Sequence, residues 1–202
     1  MIDKVLRHWR LDSDIDGISW LTLDRADERV NSLSREVLTE LAEVLNSLEK
    51  SSPTGLVLQS GKPGSFIVGA DVREFDGVSD AQAAAAQIHE VHQLFNRIEA
   101  LPFPTVVTIE GFCLGGGLEL ALAFGYRIAR DVEETRIGFP EVRLGIYPGF
   151  GGSARSVRQC GPLNAMPPML FEAVRNEDPT ALLGLPLILL CAALRRLGYS
   201  LP

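Results

Sequence analysis

The sequence predicts an α/β protein built from repeated units of two strands followed by a helix. Short apolar runs alternate with longer segments whose apolar residues recur at helical spacing. Glycine and proline separate these segments, as at Pro53–Gly55 and again at Pro102 and Pro104. Apolar residues make up 46% and charged residues 22% of the 202 positions, which is ordinary for a globular domain with a sizeable core.

The first elements along the chain are a strand, an amphipathic helix and a second strand. Residues 18–23 predict a strand after the turn at Asp16–Gly17. Ser34 is a typical helix N-cap, and the apolar residues that follow recur at helical spacing, so a helix is predicted over residues 35–50. The segment GLVLQS, residues 55–60, predicts a short buried strand.

The next elements place glycines after two apolar runs. The run at residues 66–68 leads into Gly69 and Ala70, and the alanine-rich residues 79–101 predict a helix that ends before the prolines. A strand-like run at 106–109 is followed by three consecutive glycines, residues 115–117, which open the helix-like LELALAF.

The glycine run predicts a site for an oxyanion. Residues without a Cβ let a ligand approach the backbone closely. The first turn of a helix leaves N–H groups unpaired, with a partial positive charge behind them. Such groups stabilise a developing oxyanion. Glu119 lies three residues after Gly116, so its carboxyl group is expected beside that N–H.

Several linked motifs resemble one known family. The order GFCLGGGLELALA, YRIA and GFPEVRLGIYPGFGG, within residues 111–152, is similar to the central signature of the crotonase (enoyl-CoA hydratase/isomerase) superfamily. The resemblance is closest to the hydratase part at the N-terminus of large multifunctional fatty-acid-oxidation proteins. It implies a crotonase-like (ClpP/crotonase) spiral of ββα units. The implied function is an enoyl-CoA hydratase of fatty-acid β-oxidation, which adds water across the 2,3 double bond of 2-enoyl-CoA thioesters.

The resemblance also implies roles for four residues. The backbone N–H groups of Ala70 and Gly116 would hold the thioester oxygen. Glu119 would mainly activate water, and Glu141 of the F-P-E motif would mainly transfer a proton at C2. Burial and mutual repulsion should raise at least one of the two pKa values. The same pair could move a proton between C2 and C4, so an accompanying isomerase activity stays open.

Further residues around the thioester and the coenzyme lie in the same motifs. The resemblance places Arg25 and Arg73 near the coenzyme. Taken from the residues alone, Arg73 is an ordinary surface residue, Asp71 is structural, and the glycines after Pro148 form a tight turn. The full set of substrate-binding candidates is Arg25, Phe66, Gly69, Ala70, Asp71, Arg73, Gly115, Gly116, Pro140 and Gly149.

Composition and motifs exclude several other classes. A net charge of −7 argues against a general nucleic-acid surface. The three widely spaced cysteines predict neither a disulfide framework nor a zinc site, and no signal-peptide core is seen, so a cytoplasmic protein is expected. His89 and His92 lack the spacing of a zinc-protease motif. We expect no metal and no cofactor, with coenzyme A present only as part of the acyl-CoA substrate.

The C-terminal segment departs from the family pattern. Residues 1–160 predict the crotonase-like core, and residues 161–202 a divergent, helical tail where the family builds its trimer or hexamer. We hypothesise that the sequence from about residue 167 onward results from a reading-frame shift or a gene truncation. The apolar run 181–194 is too short for a membrane span. The alternative function is a truncated crotonase-fold remnant that binds acyl-CoA or a partner without turnover.

Overall fold

The structure is a computed structural model that describes residues 6–75 and 81–170. Its strands are β1 (Trp9–Ser13), β2 (Ile18–Leu23), β3 (Gly55–Ser60), β4 (Ser65–Ile67), β5 (Thr105–Ile109), β6 (Phe112–Leu114), β7 (Tyr126–Ala129) and β8 (Arg136–Gly138). Its α-helices are α1 (Arg35–Ser51), α2 (Ala81–Glu99), α3 (Gly116–Leu122) and α4 (Gly152–Leu170), and short 3-10 helices cover Val72–Phe75 and Pro140–Leu144.

The strands form two sheets that repeat one pattern. A five-stranded sheet has the order β1-β2-β3-β5-β7, and a three-stranded sheet has the order β4-β6-β8. Only the β1–β2 pair is antiparallel among the described strands. The first repeat places both of its strands, β1 and β2, in the larger sheet, whereas each later repeat gives its first strand to the larger sheet and its second to the smaller one before a helix follows. The predicted succession of ββα units is therefore confirmed.

Helix α1 forms where the sequence predicted it. The Ser34 side chain accepts a hydrogen bond from the N–H of Val37, which satisfies one of the unpaired first-turn donors. The helix ends at Ser52, whose φ of +46° takes the chain out of helical geometry. One face of the helix is buried against the sheet, through Val37, Leu41, Val44, Leu45 and Leu48.

Helices α2 and α4 contact each other, because Arg155 of α4 donates hydrogen bonds to Asn96 and Glu99 of α2. The predicted helix at 79–101 is found as α2, and residues 76–80 lie outside the described part of the chain. Gly161, with φ +77° and ψ 161°, interrupts helical geometry inside α4. Predictions for residues 171–202, including Cys191 and the apolar run, fall outside the described residues. Of the helices in the described ranges, none is long and apolar enough to cross a membrane.

The sequence did not reveal the shortest strands. β1 was not predicted, and β6 lies between β5 and the glycine run, which was expected to follow β5 directly. β6 and β8 have only three residues each, too few for an alternating pattern to stand out. The sequence placed the glycine run directly after β5 of the larger sheet, and this was wrong, because the run follows β6 of the smaller sheet.

The side chain of Asn31 connects strands β2, β3 and β4. Its side-chain amide donates to the carbonyl oxygens of Leu23 and Phe66 and to the Ser60 hydroxyl, at 2.9–3.1 Å. Its side-chain oxygen accepts from the N–H of Arg25 at 2.9 Å. Asn31 is fully buried, so these partners have no water to replace it.

Asn31→Ala should strongly destabilise the protein. Removing the amide leaves several buried polar groups unpaired, and we expect a loss of about 3 kcal/mol or more in the free energy of unfolding. Chemical denaturation measures it. The exposed Asn46, whose side-chain oxygen accepts a hydrogen bond from Arg97, provides a matched control as Asn46→Ala, expected to cost under about 1 kcal/mol. Equal midpoints for the two variants would contradict this role.

Candidate active site

The candidate active site lies where the three strands of the smaller sheet end. β4 and β8 each run parallel to β6, so their carboxyl ends meet at the same edge. Gly69 and Ala70 follow β4, the glycine run and Glu119 follow β6, and Glu141 follows β8. Ligand sites in parallel sheets occur at this edge. The topology thus brings together the four residues to which catalytic roles were assigned from the resemblance.

Two backbone nitrogens face each other across the first two loops. A Cβ built on Gly116 would lie 3.2 Å from the nitrogen of Ala70, and one built on Gly69 would lie 4.0 Å from the nitrogen of Gly116. Among the described residues, the backbone hydrogen bonds found outside regular helices and strands involve neither N–H. Both donors are therefore held close together by the fold and are available to a ligand.

Gly115 allows a carboxyl group to approach the turn. Its φ is +50°, and its N–H donates to the carbonyl oxygen of Gly138 on β8 at 2.9 Å. A Cβ at this position would lie 2.9 Å from Oε1 of Glu141. Glycine is needed here for two reasons, because the backbone conformation disfavours a side chain and because Glu141 occupies the space.

Glu119 is buried and held by the backbone of the next loop. Its Oε1 accepts hydrogen bonds from the N–H groups of Phe150 (2.8 Å) and Gly152 (2.7 Å). The residue is only 2% exposed. Burial raises the pKa of Glu119 to about 7, and the charge of Glu141 adds to this, while the two backbone donors oppose it. Near neutral pH this carboxyl group is thus poised between its two protonation states.

Glu141 is the second buried carboxyl group. It is 9% exposed, and its Oε2 is buried with no hydrogen-bond partner among the described residues. Burial raises the pKa of Glu141 above its ordinary value. An unpartnered carboxyl oxygen is costly in a protein interior, and it is the kind of group that a bound water or substrate would satisfy.

A cavity of about 660 Å³ opens beside these groups, between α1 and α2. Its walls are mainly apolar, through residues such as Leu38, Val91 and Leu94. Ala70 and Phe150 line it as well, whereas Glu119 and Glu141 do not. The cavity therefore reaches Ala70, whose N–H is one of the two facing donors, and Phe150, whose N–H donates to Glu119.

The candidate coenzyme contacts form an ion-pair cluster. Asp71 is 7% exposed and accepts hydrogen bonds from the guanidinium groups of Arg25 (2.7 Å) and Arg73 (2.7 Å). Arg25 also donates to Ser32, and Arg73 to Glu28. The guanidinium groups of Arg73 and Arg25 hold the pKa of Asp71 well below its usual range. These contacts agree with a structural role for Asp71.

The remaining candidates occupy different environments. Phe66 is fully buried in the core and does not line the cavity, and its contact with substrate stays a prediction. Pro140 begins the 3-10 helix that carries Glu141. The carbonyl oxygen of Gly149 lies 2.6 Å from Nε2 of His92.

Some contributors were not apparent from sequence. Phe150 supplies a backbone donor to Glu119 and a ring against Gly116, and the buried Arg155 donates to the Phe150 carbonyl oxygen at 3.0 Å. The motif PGFGGSAR contained both, but only their contacts give them a role. His89 and His92 bind different partners, Gln93 and Gly149. Within the described ranges, no group of three or more potential metal ligands is found.

Comparison with known proteins agrees with this architecture. Residues 14–179 match the family model described as enoyl-CoA hydratase/isomerase. A fatty acid oxidation complex subunit alpha from Aliivibrio fischeri is 44% identical over 155 residues, covering 76% of this chain and 23% of that protein. An enoyl-CoA hydratase structure from Bacillus anthracis has a TM-score of 0.72 and 29% identity, covering 80% of this chain and 62% of that one.

A second structure supports the fold alone. An enoyl-CoA hydratase from Geobacillus kaustophilus gives a TM-score of 0.78 at 24% identity, covering 96% of this chain and 74% of that one. The fold is thus the crotonase fold, and the chain belongs to the enoyl-CoA hydratase/isomerase family. It spans less than a quarter of the length of the curated relatives it matches, at 23% and 22% of two of them. The division at residue 160 stays a prediction.

Glu119→Gln should stabilise the protein, and the gain should depend on pH. A carboxyl pKa raised from 4.5 to about 7 means that the folded state favours the proton, so stability falls as pH rises between these values. The cost reaches about 3 kcal/mol above pH 7. We therefore expect a small gain at pH 5 and a gain of up to about 3 kcal/mol at pH 8, measured by urea denaturation.

The control for this prediction is Glu134→Gln, at an exposed position. It should change stability little at either pH. A gain for Glu119→Gln that is the same at pH 5 and pH 8, or a loss at pH 8, would contradict the account of Glu119 as a buried group with a raised pKa.

Proposed function

We propose that this protein hydrates 2-enoyl-CoA thioesters, with Glu119 and Glu141 acting on one water molecule. The observation that carries the proposal is the pair of buried carboxyl groups beside the facing N–H groups of Ala70 and Gly116. Acyl-CoA is the substrate that this arrangement and the family suggest, and the reaction is a step of fatty-acid β-oxidation. Coenzyme A enters as part of that substrate, and no other cofactor is needed.

In this mechanism the thioester carbonyl oxygen accepts hydrogen bonds from the Ala70 and Gly116 N–H groups. Glu119, ionised, takes a proton from water as the water oxygen bonds to C3, and the π electrons move toward the carbonyl oxygen. The two N–H groups stabilise the enolate oxygen that results. Glu141, protonated, then delivers its proton to C2, and the proton taken up by Glu119 returns to Glu141 before the next turnover, so that one water is added across the double bond and both carboxyl groups regain their starting states.

The environment of the two carboxyl groups suits this division. A general base works best when its pKa lies near the working pH, and the Glu119 pKa of about 7 meets that condition. Burial also raises the pKa of Glu141, which shifts this carboxyl group toward the protonated, donating form relative to an exposed glutamate. Transfer of a proton between C2 and C4 by the same pair would isomerise a 3-enoyl-CoA, so an accompanying isomerase activity stays open.

The proposal extends to the surroundings of the site. Arg25 and Arg73 would lie near the coenzyme, while the apolar cavity between α1 and α2 would take the acyl chain. We also propose a cytoplasmic location and a homo-oligomer, a trimer or hexamer. Exposed apolar side chains support association: on β7, Tyr126 is 65% exposed and Ile128 is 61% exposed.

Loss of the enoyl-thioester absorbance tests the activity. Crotonyl-CoA and a longer 2-enoyl-CoA are given to the wild type, to Glu119→Gln and Glu141→Gln, and to the control Glu134→Gln. Either active-site variant should lower kcat by about 100-fold or more, because one proton transfer is lost, and the control should match the wild type. A folded wild type that is as inert as the two variants would favour the alternative, a fold remnant that binds without turnover.

Gly116→Ala should impair the oxyanion site. Its Cβ would lie 3.2 Å from the Ala70 nitrogen and 3.2 Å from the Phe150 ring, so the gap between the two donors would be partly filled. We expect kcat to fall by about 10-fold or more, as for loss of one donor. Gly138→Ala is the control, because a Cβ there meets nothing within 4 Å. Equal kcat values for the two variants would contradict the assignment.

A further inference from the structure

Arg155 is a buried cation for which the proposed chemistry has no direct use. It lies in the first turn of α4 and is only 3% exposed. Its Nη1 donates to the carbonyl oxygen of Phe150 at 3.0 Å, and its Nε is buried with no partner among the described residues. Burying a guanidinium group costs free energy, so its presence here indicates that it has a specific role.

The contacts of Arg155 connect two parts of the site. Its Nη2 donates to Asn96 (2.7 Å) and Glu99 (3.1 Å), both on α2, the helix that walls the cavity. Its Nη1 holds the same Phe150 peptide segment whose N–H donates to Glu119. One side chain therefore ties the cavity helix to the loop that orients the carboxyl group.

Packing around the guanidinium group fixes this geometry. A Cβ on Gly151, whose φ is +94°, would lie only 2.4 Å from Nη1 of Arg155, so a side chain there would displace the guanidinium group. The Arg155 Cζ lies 5.8 Å from the centre of the Phe95 ring. That ring in turn meets Phe150 edge-on, with ring centres 6.2 Å apart. The loop of residues 150–152 is thus held by a hydrogen bond to its backbone and by packing against the Phe150 ring.

We propose that Arg155 is a positioning residue, which holds the Phe150–Gly152 backbone against Glu119 and links that backbone to helix α2. The proposal rests on the proposed function for its kinetic consequence. The Arg155 proposal goes beyond the proposed function, because the orientation and the charge state of Glu119 then depend on a residue that contacts neither water nor substrate.

The charge of Arg155 should also affect protonation of Glu119. The charged groups facing Glu119 are Glu141 from the 3-10 helix, which favours the protonated form, and Arg155 from α4, which favours the ionised form. Strands β4 and β6, which also pack on α3, bring only the Cys113 thiol, whose pKa burial raises to about 12. Glu99 faces Arg155 from α2 and is shared with Arg158.

The test compares Arg155→Gln and Arg155→Lys with Arg158→Gln. Arg158 pairs with the same Glu99, at 2.9 Å, but its side chain is 63% exposed, and among the described residues it forms no hydrogen bond to the Phe150 loop. Two readouts are used: the pH profile of kcat and KM for crotonyl-CoA, and the pKa of Glu119 from ¹³C NMR of labelled glutamate, with Glu119→Gln identifying the resonance.

For Arg155→Gln we expect kcat to fall about 10-fold or more with little change in KM, because a misplaced base loses general-base catalysis. The acidic limb of the profile and the Glu119 pKa should both move to higher pH by about half a unit or more. Arg155→Lys keeps the charge but not the two-sided contact, so it should lower kcat with a smaller pH shift. Arg158→Gln should change neither quantity.

Wild-type kcat and an unchanged Glu119 pKa in folded Arg155→Gln would overturn the proposal, as would equal effects in Arg158→Gln. If Arg155→Gln does not fold, Asn96→Ala removes one partner of Arg155 but keeps its charge, so it should lower kcat by a smaller factor with the Glu119 pKa little changed, and a wild-type kcat there would also overturn the proposal. If the wild type shows no turnover, the hydratase proposal fails, and the NMR readout alone decides the role of Arg155.

Discussion

The contact between Glu119 and the backbone of residues 150–152 is the constraint on which this site depends. A carboxyl group with 2% exposure is unfavourable when ionised, and the N–H groups of Phe150 and Gly152 offset part of that cost. The result is a pKa of about 7, because burial exceeds the stabilisation by these donors. Burial of Glu119 lowers the stability of the folded protein at neutral pH, and it leaves this carboxyl group able to gain or lose a proton in that pH range.

The three-stranded parallel sheet determines where that group lies. Because β4, β6 and β8 end at one edge, their three following loops supply the two N–H donors, Glu119 and Glu141 without any long-range rearrangement. Backbone donors fixed by strand pairing need no reorganisation when charge develops on a ligand. Glycine at 115 and 116 keeps the space between these loops open.

The sequence predicted much of the fold and the site, for physical reasons that can be named. Helix α1 and strands β2 and β3 are long enough for periodicity and have a capping serine or a turn before them. The motif resemblance assigned roles to Ala70, Gly116, Glu119 and Glu141, which the structure brings together at one sheet edge, and the roles themselves stay predictions. Strands of three residues carry no period, and the Arg155–Asn96 hydrogen bond joins positions 59 residues apart, so neither could be derived from local pattern.

The central claim is that Glu119 and Glu141 act as one unit on one water molecule, and a double-mutant cycle tests it most directly. The kcat/KM for crotonyl-CoA is measured for Glu119→Gln, for Glu141→Gln and for the variant with both changes. Groups that act together are strongly non-additive, so the double variant should be about as slow as the slower single variant. A double variant whose loss equals the product of the two single losses would show independent roles and contradict the account.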